Sequence, residues 1–488
     1  MANRYKLIHS NNLNDQLSQG LNWNSTTDVY TRLGSLWGIA TGASAKANCP
    51  IQLAMKRCMV ADNEVVNYFV DPVNPIMKKG ETVAITGAAT SAATGTLNNT
   101  GVNFTSLGVV AGLVLHNITA NTYSTIASVA ATALTLSRDN LVMTSGDTYE
   151  IGSANYGGAD GQVMVQIPKF YFKEDVTGAD HSWNVSLLPL IGYTVHPAFI
   201  RDGIEVPYRY YSAFEGSMFD ASTSAMTVSA SIATAGFYAA GDKLCSIAGQ
   251  WPKTNQLRAD FDAMCTSRGT PWRQNDFYLL AAIQLLYLIE YASFNSQSMI
   301  GAGRTALSDG GWTANSLIAM TGFSIKDGNG TANVSIGGSS GYLTDYMTYN
   351  GIENFYGNVW KFIGLMSVNG GVGTSAPMPM YATGNKAHYN AASAVNMDLI
   401  VNNTNLGATN EGYSSNLENC IGFIPSAVGA GSTTKITDYF WQYSGNGGWR
   451  APWFGGGSDA GARAGAFGLA VDGSASCVYV YVGSRLCL

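Results

Sequence analysis

The sequence predicts an α+β fold that is mostly β, on three observations. Short runs with an apolar residue at every second position recur along the chain, which is the pattern of strands with one buried and one displayed face. Clusters of Gly, Asn, Ser and Thr separate these runs, as turns require. Strong helical patterning is confined to two segments in the middle of the chain. Around 257–264, Leu257, Phe261 and Met264 share one face; from Asn275 or Asp276 to about Tyr291, apolar residues surround the axis. Asn275 and Asp276 are good capping residues for the second helix, and its all-round apolarity predicts burial.

A chain of 488 residues can hold several domains and a large core. Only 12% of it is charged and the net charge is -6, with no basic block, which argues against a nucleic-acid partner. The apolar run 277–294 contains Gln284 and Glu290 and is too short for a membrane span, so membrane insertion is not expected. The N-terminus, MANRYKLIHSNN, lacks the apolar segment of a secretory signal. Seven cysteines at wide spacing, without a CxxC pair, read as buried thiols, not as a disulfide framework or zinc site.

Three blocks follow in order. Residues 1–75 carry a possible short helix at 13–21 and strands at 51–58 and 65–70, and are expected to form a small N-terminal module. Residues 76–155 are rich in Ala, Thr and Val, with few aromatics. TVAITG, LVLHNIT, YSTIASVAATALTLS and TYEIG read as short strands of an inserted small β-domain, with a hairpin in LHNITANTYSTIASV. Residues 156–488 open with the alternating GQVMVQIPKFYFKE and include both helices, GIENFYGNVWKFI at 351–363, and a distinctive tail.

That tail, from Gly447, reads GGWRAPWFGGGSDAGARAGAFGLAVDGSASCVYVYVGSRLCL. Phe467, Leu469 and Val471 alternate, as do Val478, Val480 and Val482, and they predict a core-facing set. Between them and just upstream lie chemically unrelated residues: Gly457, Asp459, Ala460, Arg463, Gly468, Ala470, Asp472, Gly473, Cys477, Tyr479 and Tyr481. A displayed face without a chemical theme suits recognition better than catalysis. Asp472 and Gly473, set between the two runs, are a good type I′ hairpin signal.

The tail resembles the variable region of retroelement-diversified proteins on a C-type-lectin-like fold, the family of phage tropism determinants. The segments 50–72, 161–216, 275–304 and the GNVW of 357–360 are similar to parts of the same group and its formylglycine-generating relatives. The resemblance implies a lectin-like domain over 156–488, with a variable region at about 447–488 that binds a host-cell surface receptor, protein or glycan. It also implies an N-terminal module for attachment or trimer formation, a homotrimer, tail or baseplate proteins as partners, and a place at the tail tip of a virion. Trp360, Trp449 and Trp453 would be scaffold, with Arg450 and Arg485 in structural hydrogen bonds. Tyr479, Tyr481, Arg463 and Asp459 would carry binding, since Tyr supplies large contact area at low entropic cost. A cellular or prophage display protein of the same chemistry is one alternative, and a formylglycine-generating-type enzyme is a second and weaker one.

Enzymatic signals are sparse, and no enzymatic activity is expected. Residues 337–341 match G-x-S-x-G, but only His388 lies downstream and no helix is predicted after Gly341. His9, His116, His181, His196 and His388 lack paired spacing, and His196 reads as structural. No cofactor is expected. Asp327 to Thr331 loosely resembles the start of a calcium loop without its late Glu, so a polar turn is favoured, with structural calcium the one ion the family would allow. Formylglycine-generating relatives use a reactive cysteine pair. Cys477 and Cys487 lie at the corresponding end, but Cys477 has no basic neighbour in sequence and Cys487 has only Arg485 nearby.

Overall fold

A computed structural model describes residues 16–488 except 83, 139, 228–237, 307–317, 336–344, 371–377, 404–405, 407–410 and 443–447. Strands dominate, and among the described residues two helices exceed a single turn, Arg258–Thr266 and Phe277–Tyr291. The protein is α+β and mostly β. The G-x-S-x-G match at 337–341 lies outside the described residues.

The first block does not stand apart. Gln19–Asn24 and Val29–Gly34 extend a five-stranded sheet whose other strands are Asp180–Ser186, Tyr171–Thr177 and Thr194–Val195. Lys56–Val60 and Val66–Phe69 complete a six-stranded sheet with Gln162–Pro168, Tyr208–Ser212, Leu486–Cys487 and Arg273–Gln274. The module expected over 1–75 thus shares both of its sheets with strands of the third block. Local periodicity could not reveal this, because the pairing partners lie more than a hundred residues away, as with Cys58 opposite Met164. The helix expected at 13–21 is corrected from Gln19 onward, where a strand starts and pairs with 180–185.

The middle block closes on itself. Ile85–Ala88, Thr148–Asn155, Leu113–Asn117, Thr122–Val129, Ala133–Leu136 and Thr96–Asn98 form one sheet in that order. Leu97, Phe104, Leu115, Ile126, Leu134, Met143, Tyr149 and Ile151 make a core of their own. The hairpin in LHNITANTYSTIASV pairs Asn117 with Thr122 and Val114 with Thr125.

Phe277–Tyr291 runs through the centre of the third block with every residue buried. Asp276 caps it, accepting from the Leu279 amide at 2.8 Å, and also pairs with the buried Arg209. At the far end Ala292 adopts a left-handed conformation (φ 51). Arg32, from the N-terminal strand, donates to the carbonyls of Ile289 and Glu290, each at 2.7 Å, and satisfies groups that a helix end leaves open. The helix termini are thus held by residues from elements remote in sequence.

The GNVW segment is a polar hub in this core. Lys361 Nζ lies 3.0 Å from Glu215 Oε1, with side-chain exposures of 0% and 1%. Asn354 and Asn358 donate to the other oxygen of Glu215. Arg485, expected to be structural, donates to the carbonyls of Ser212, Glu353 and Asn354. His196 is buried and accepts from the Ala198 amide at 3.2 Å, capping the turn Pro197–Phe199. Burial depresses its pKa to about 3, so it is neutral.

Candidate functional site

The tail enters a seven-stranded sheet ordered Pro425–Val428, Gly412–Leu417, Tyr439–Trp441, Leu469–Ala470, Trp453–Phe454, Trp360–Phe362, Val482–Gly483. The two alternating runs of the tail therefore do not form a hairpin. Two strands, Trp453–Phe454 and Trp360–Phe362, separate them. Leu469–Ala470 pairs parallel with Tyr439–Trp441, and Val482–Gly483 pairs parallel with Trp360–Phe362. The turn expected at Asp472 and Gly473 is corrected accordingly. The chain there continues alongside 450–453, with the Ala451 amide donating to the Gly473 carbonyl at 2.9 Å.

Register across this sheet sorts its side chains. Phe440, Leu469 and Phe454 face one another in one row and belong to the main core. In the adjacent row Trp441 pairs with Ala470 and Ala470 with Trp453, so a small side chain sits between two indoles. The result is a cleft of about 540 Å³ lined by Trp360, Trp441, Trp453, Asp459, Ala460, Arg463, Ala470, Asp472 and Tyr481. Its size falls within the usual range of ligand pockets.

Six of the residues singled out from the tail line this cleft: Asp459, Ala460, Arg463, Ala470, Asp472 and Tyr481. Ala470 is only 1% exposed, because it forms the floor. Tyr479 lies beside the cleft, half-buried, with its ring edge-on to Trp453 at 5.5 Å and stacked on Tyr481 at 5.0 Å. Cys477 is half-buried next to it. Burial raises its thiol, but hydrogen bonds with Ser474 and Tyr479 outweigh this and the net shift is downward. Three residues expected on the displayed face are not there. Gly457, Gly468 and Gly473 are buried. At Gly473 an added Cβ would lie 2.0 Å from the Trp453 ring, so no side chain fits. The second alternating run also differs from expectation. Val482 is fully buried but Val478 is 37% exposed, because 477–481 is a looped approach to the strand and lacks the two-residue period of one.

Sequence reasoning missed Trp441. It lies in TDYFWQY, whose alternation is too short to place a face, and its partner Ala470 joins it only through a parallel pairing. Trp360 and Trp453, expected as scaffold, do pack in the core and also present part of their rings to the cleft. Trp449 packs against Tyr381 instead.

The cleft lining carries two carboxylates, Asp459 and Asp472, and one guanidinium, Arg463. Asp472 Oδ1 is shielded from solvent with no hydrogen-bond partner among the described residues. Burial, with Glu411 nearby, raises the Asp472 pKa. Arg463 sits at the rim, exposed, its guanidinium 5.1 Å from the Tyr439 ring centre.

Behind the cleft lies Asp438, buried, accepting from the Phe467 amide at 2.8 Å. Gly465 makes room for it, since a Cβ there would lie 2.0 Å from Oδ1. Burial pushes its pKa up to about 8. The folded protein therefore holds a proton that the unfolded chain releases near pH 4. The stability this confers is complete below about pH 4 and is lost as pH rises toward 8. Asp438→Asn is expected to remove a decline approaching about 1.4 kcal/mol per pH unit across that window. Urea midpoints of both proteins from pH 4.5 to 7.5 should diverge; parallel curves would show that Asp438 is ionised throughout.

Cys477 and Cys487 are both free thiols. Cys487 is buried, its thiol pushed up to about 12 by burial, and it donates to the Gln274 carbonyl at 3.2 Å. The oxygens of the calcium-like turn serve other partners: Asp327 accepts from Tyr346 at 2.6 Å and Asn329 from the Arg57 amide at 2.7 Å. Among the described residues no cluster of His, Cys, Asp or Glu could hold a metal ion. No helix among them is long and apolar enough to cross a membrane. No protein-family model matches the chain, and no curated protein matches it in sequence.

Proposed function

We propose that this chain is a receptor-binding adhesin of a phage tail tip, whose C-terminal cleft engages a host-cell surface receptor. One observation carries the reading: tail residues with no common chemistry converge on a single concave, indole-walled surface, while their regular neighbours Phe467, Leu469 and Val471 lie in the core. Stability and recognition are thereby assigned to different residues of one segment. Aromatic side chains at such a surface supply contact area with little entropy loss. Trimeric assembly and docking on tail proteins belong to the same proposal. Several copies engaging receptors together would turn weak single contacts into firm attachment.

Two measurements test it. Sequencing the 3′ end of the gene across a propagated population should find substitutions concentrated at 459, 460, 463, 470, 472 and 481, and sparing 467, 469 and 473. An invariant cleft would remove the diversification, leaving a fixed binding site. Adsorption to host cells should fall at least tenfold for Tyr481→Ala, with the thermal midpoint nearly unchanged. Tyr479→Ala, which also removes packing on Trp453, should lower both. Unchanged adsorption for Tyr481→Ala would place the receptor contact elsewhere.

A further inference from the structure

The cleft also carries information about what it binds, and the following rests on its being the recognition site. Three indoles and a phenol line it, and the faces of such rings carry negative electrostatic potential that attracts cations. Trp360 and Trp441 stand nearly perpendicular, 82° apart with centroids 4.8 Å from each other, so they form adjoining walls. Asp459 and Asp472 add two carboxylates, which accept hydrogen bonds and cannot donate them when ionised. Asp472 is the desolvated one, with an oxygen that lacks a partner among the described residues. Arg450 is the charged group of the chain that favours its ionised form, and a cation seated among the rings would add a second. At the rim, Arg463 is a fixed cation that a guest carrying only positive charge would repel. A zwitterion with its cation inward and its anion outward complements all of these groups together.

We propose that the cleft binds a phosphocholine-type headgroup, with the quaternary ammonium against Trp360, Trp441 and Trp453 and the phosphate at Arg463. Asp459 and Asp472 are the counter-charges to the ammonium. The ammonium needs no hydrogen-bond acceptor of its own, so it can rest on the exposed parts of the indoles while the two carboxylates supply the opposite charge. Arg is well matched to the phosphate, since its planar fork can bind two oxygens at once.

The test is tryptophan fluorescence of the whole chain titrated with phosphocholine, choline, inorganic phosphate and methyl α-glucoside. Phosphocholine should quench saturably, choline about tenfold more weakly, and phosphate alone not measurably. Asp472→Asn should weaken phosphocholine at least tenfold. Arg463→Ala, an exposed position whose replacement leaves the fold intact, should abolish the preference for phosphocholine over choline. Absence of saturable phosphocholine binding overturns the assignment, as does equal binding of the glucoside or an Arg463→Ala protein that keeps the preference. Retention of phosphocholine-binding protein on phosphatidylcholine vesicles would identify a lipid source. Binding of the soluble headgroup alone would identify one displayed on a surface polymer, and both agree with the proposal. If Tyr481→Ala abolishes adsorption while phosphocholine does not bind, the cleft is still the receptor site and only this ligand is wrong.

Discussion

Lys361→Met is expected to lower the free energy of unfolding by about 3–5 kcal/mol, the cost of leaving one partner of a buried ion pair without the other. Glu215 would be left with Asn354 and Asn358 as its hydrogen-bond donors among the described residues, in a buried site. Lys361 also donates to the Gly357 carbonyl at 2.6 Å, so its loss opens a second polar group. Adding Glu215→Gln should recover a large part of the loss, because a neutral amide can remain with both asparagines. Urea unfolding of the two variants decides it. A single variant within about 1 kcal/mol of the parent would mean that water reaches the pair. The consequence extends to the cleft, since Trp360 immediately precedes Lys361 and forms one of its walls.

Phe467→Ala should cost a similar amount, about 3–5 kcal/mol, through lost burial and an unfilled cavity. Its ring meets Phe294 and Phe423, each at 4.9 Å, and Tyr287 at 5.7 Å, all edge-to-face. These partners come from the central helix, the turn after it and the loop at 423, so one side chain of the tail ties three segments together. Phe467→Leu should cost distinctly less by filling most of the space. If Phe467→Ala leaves the thermal midpoint unchanged while Tyr481→Ala collapses it, the division between core and recognition residues is reversed.

The legible parts of the fold were those fixed by local chemistry. Asp276 as a cap and the all-round apolarity of 277–291 placed the buried helix, because capping and burial are determined within a few residues. The alternation of Phe467, Leu469 and Val471 identified a core-facing row for the same reason. The illegible parts depended on distant pairing. The parallel contacts of Leu469–Ala470 and Val482–Gly483 leave no local signature, whereas Asp472 and Gly473 mimic a hairpin turn that the sheet does not use. Glycine misled in another way: Gly473 looked like a variable position, yet it is small because the Trp453 ring occupies the space beside it. In the candidate site, charged and aromatic tail residues could be named from sequence, but Trp441 needed the topology.

The two rows of the central sheet have a consequence for how this surface can change over generations. Phe440, Leu469 and Phe454 lie one residue away from Trp441, Ala470 and Trp453, on the opposite side of the same strands. Substitution at 470 alters the outward row and leaves the inward one in place. A one-residue slip of 469–470 in the sheet would turn Ala470 inward and move Leu469 to the outside, between the indoles of the neighbouring strands. The protein can therefore absorb many spelling changes in this region but no shift of its frame. A mutational process confined to base replacement, without slippage, is the one this architecture can survive.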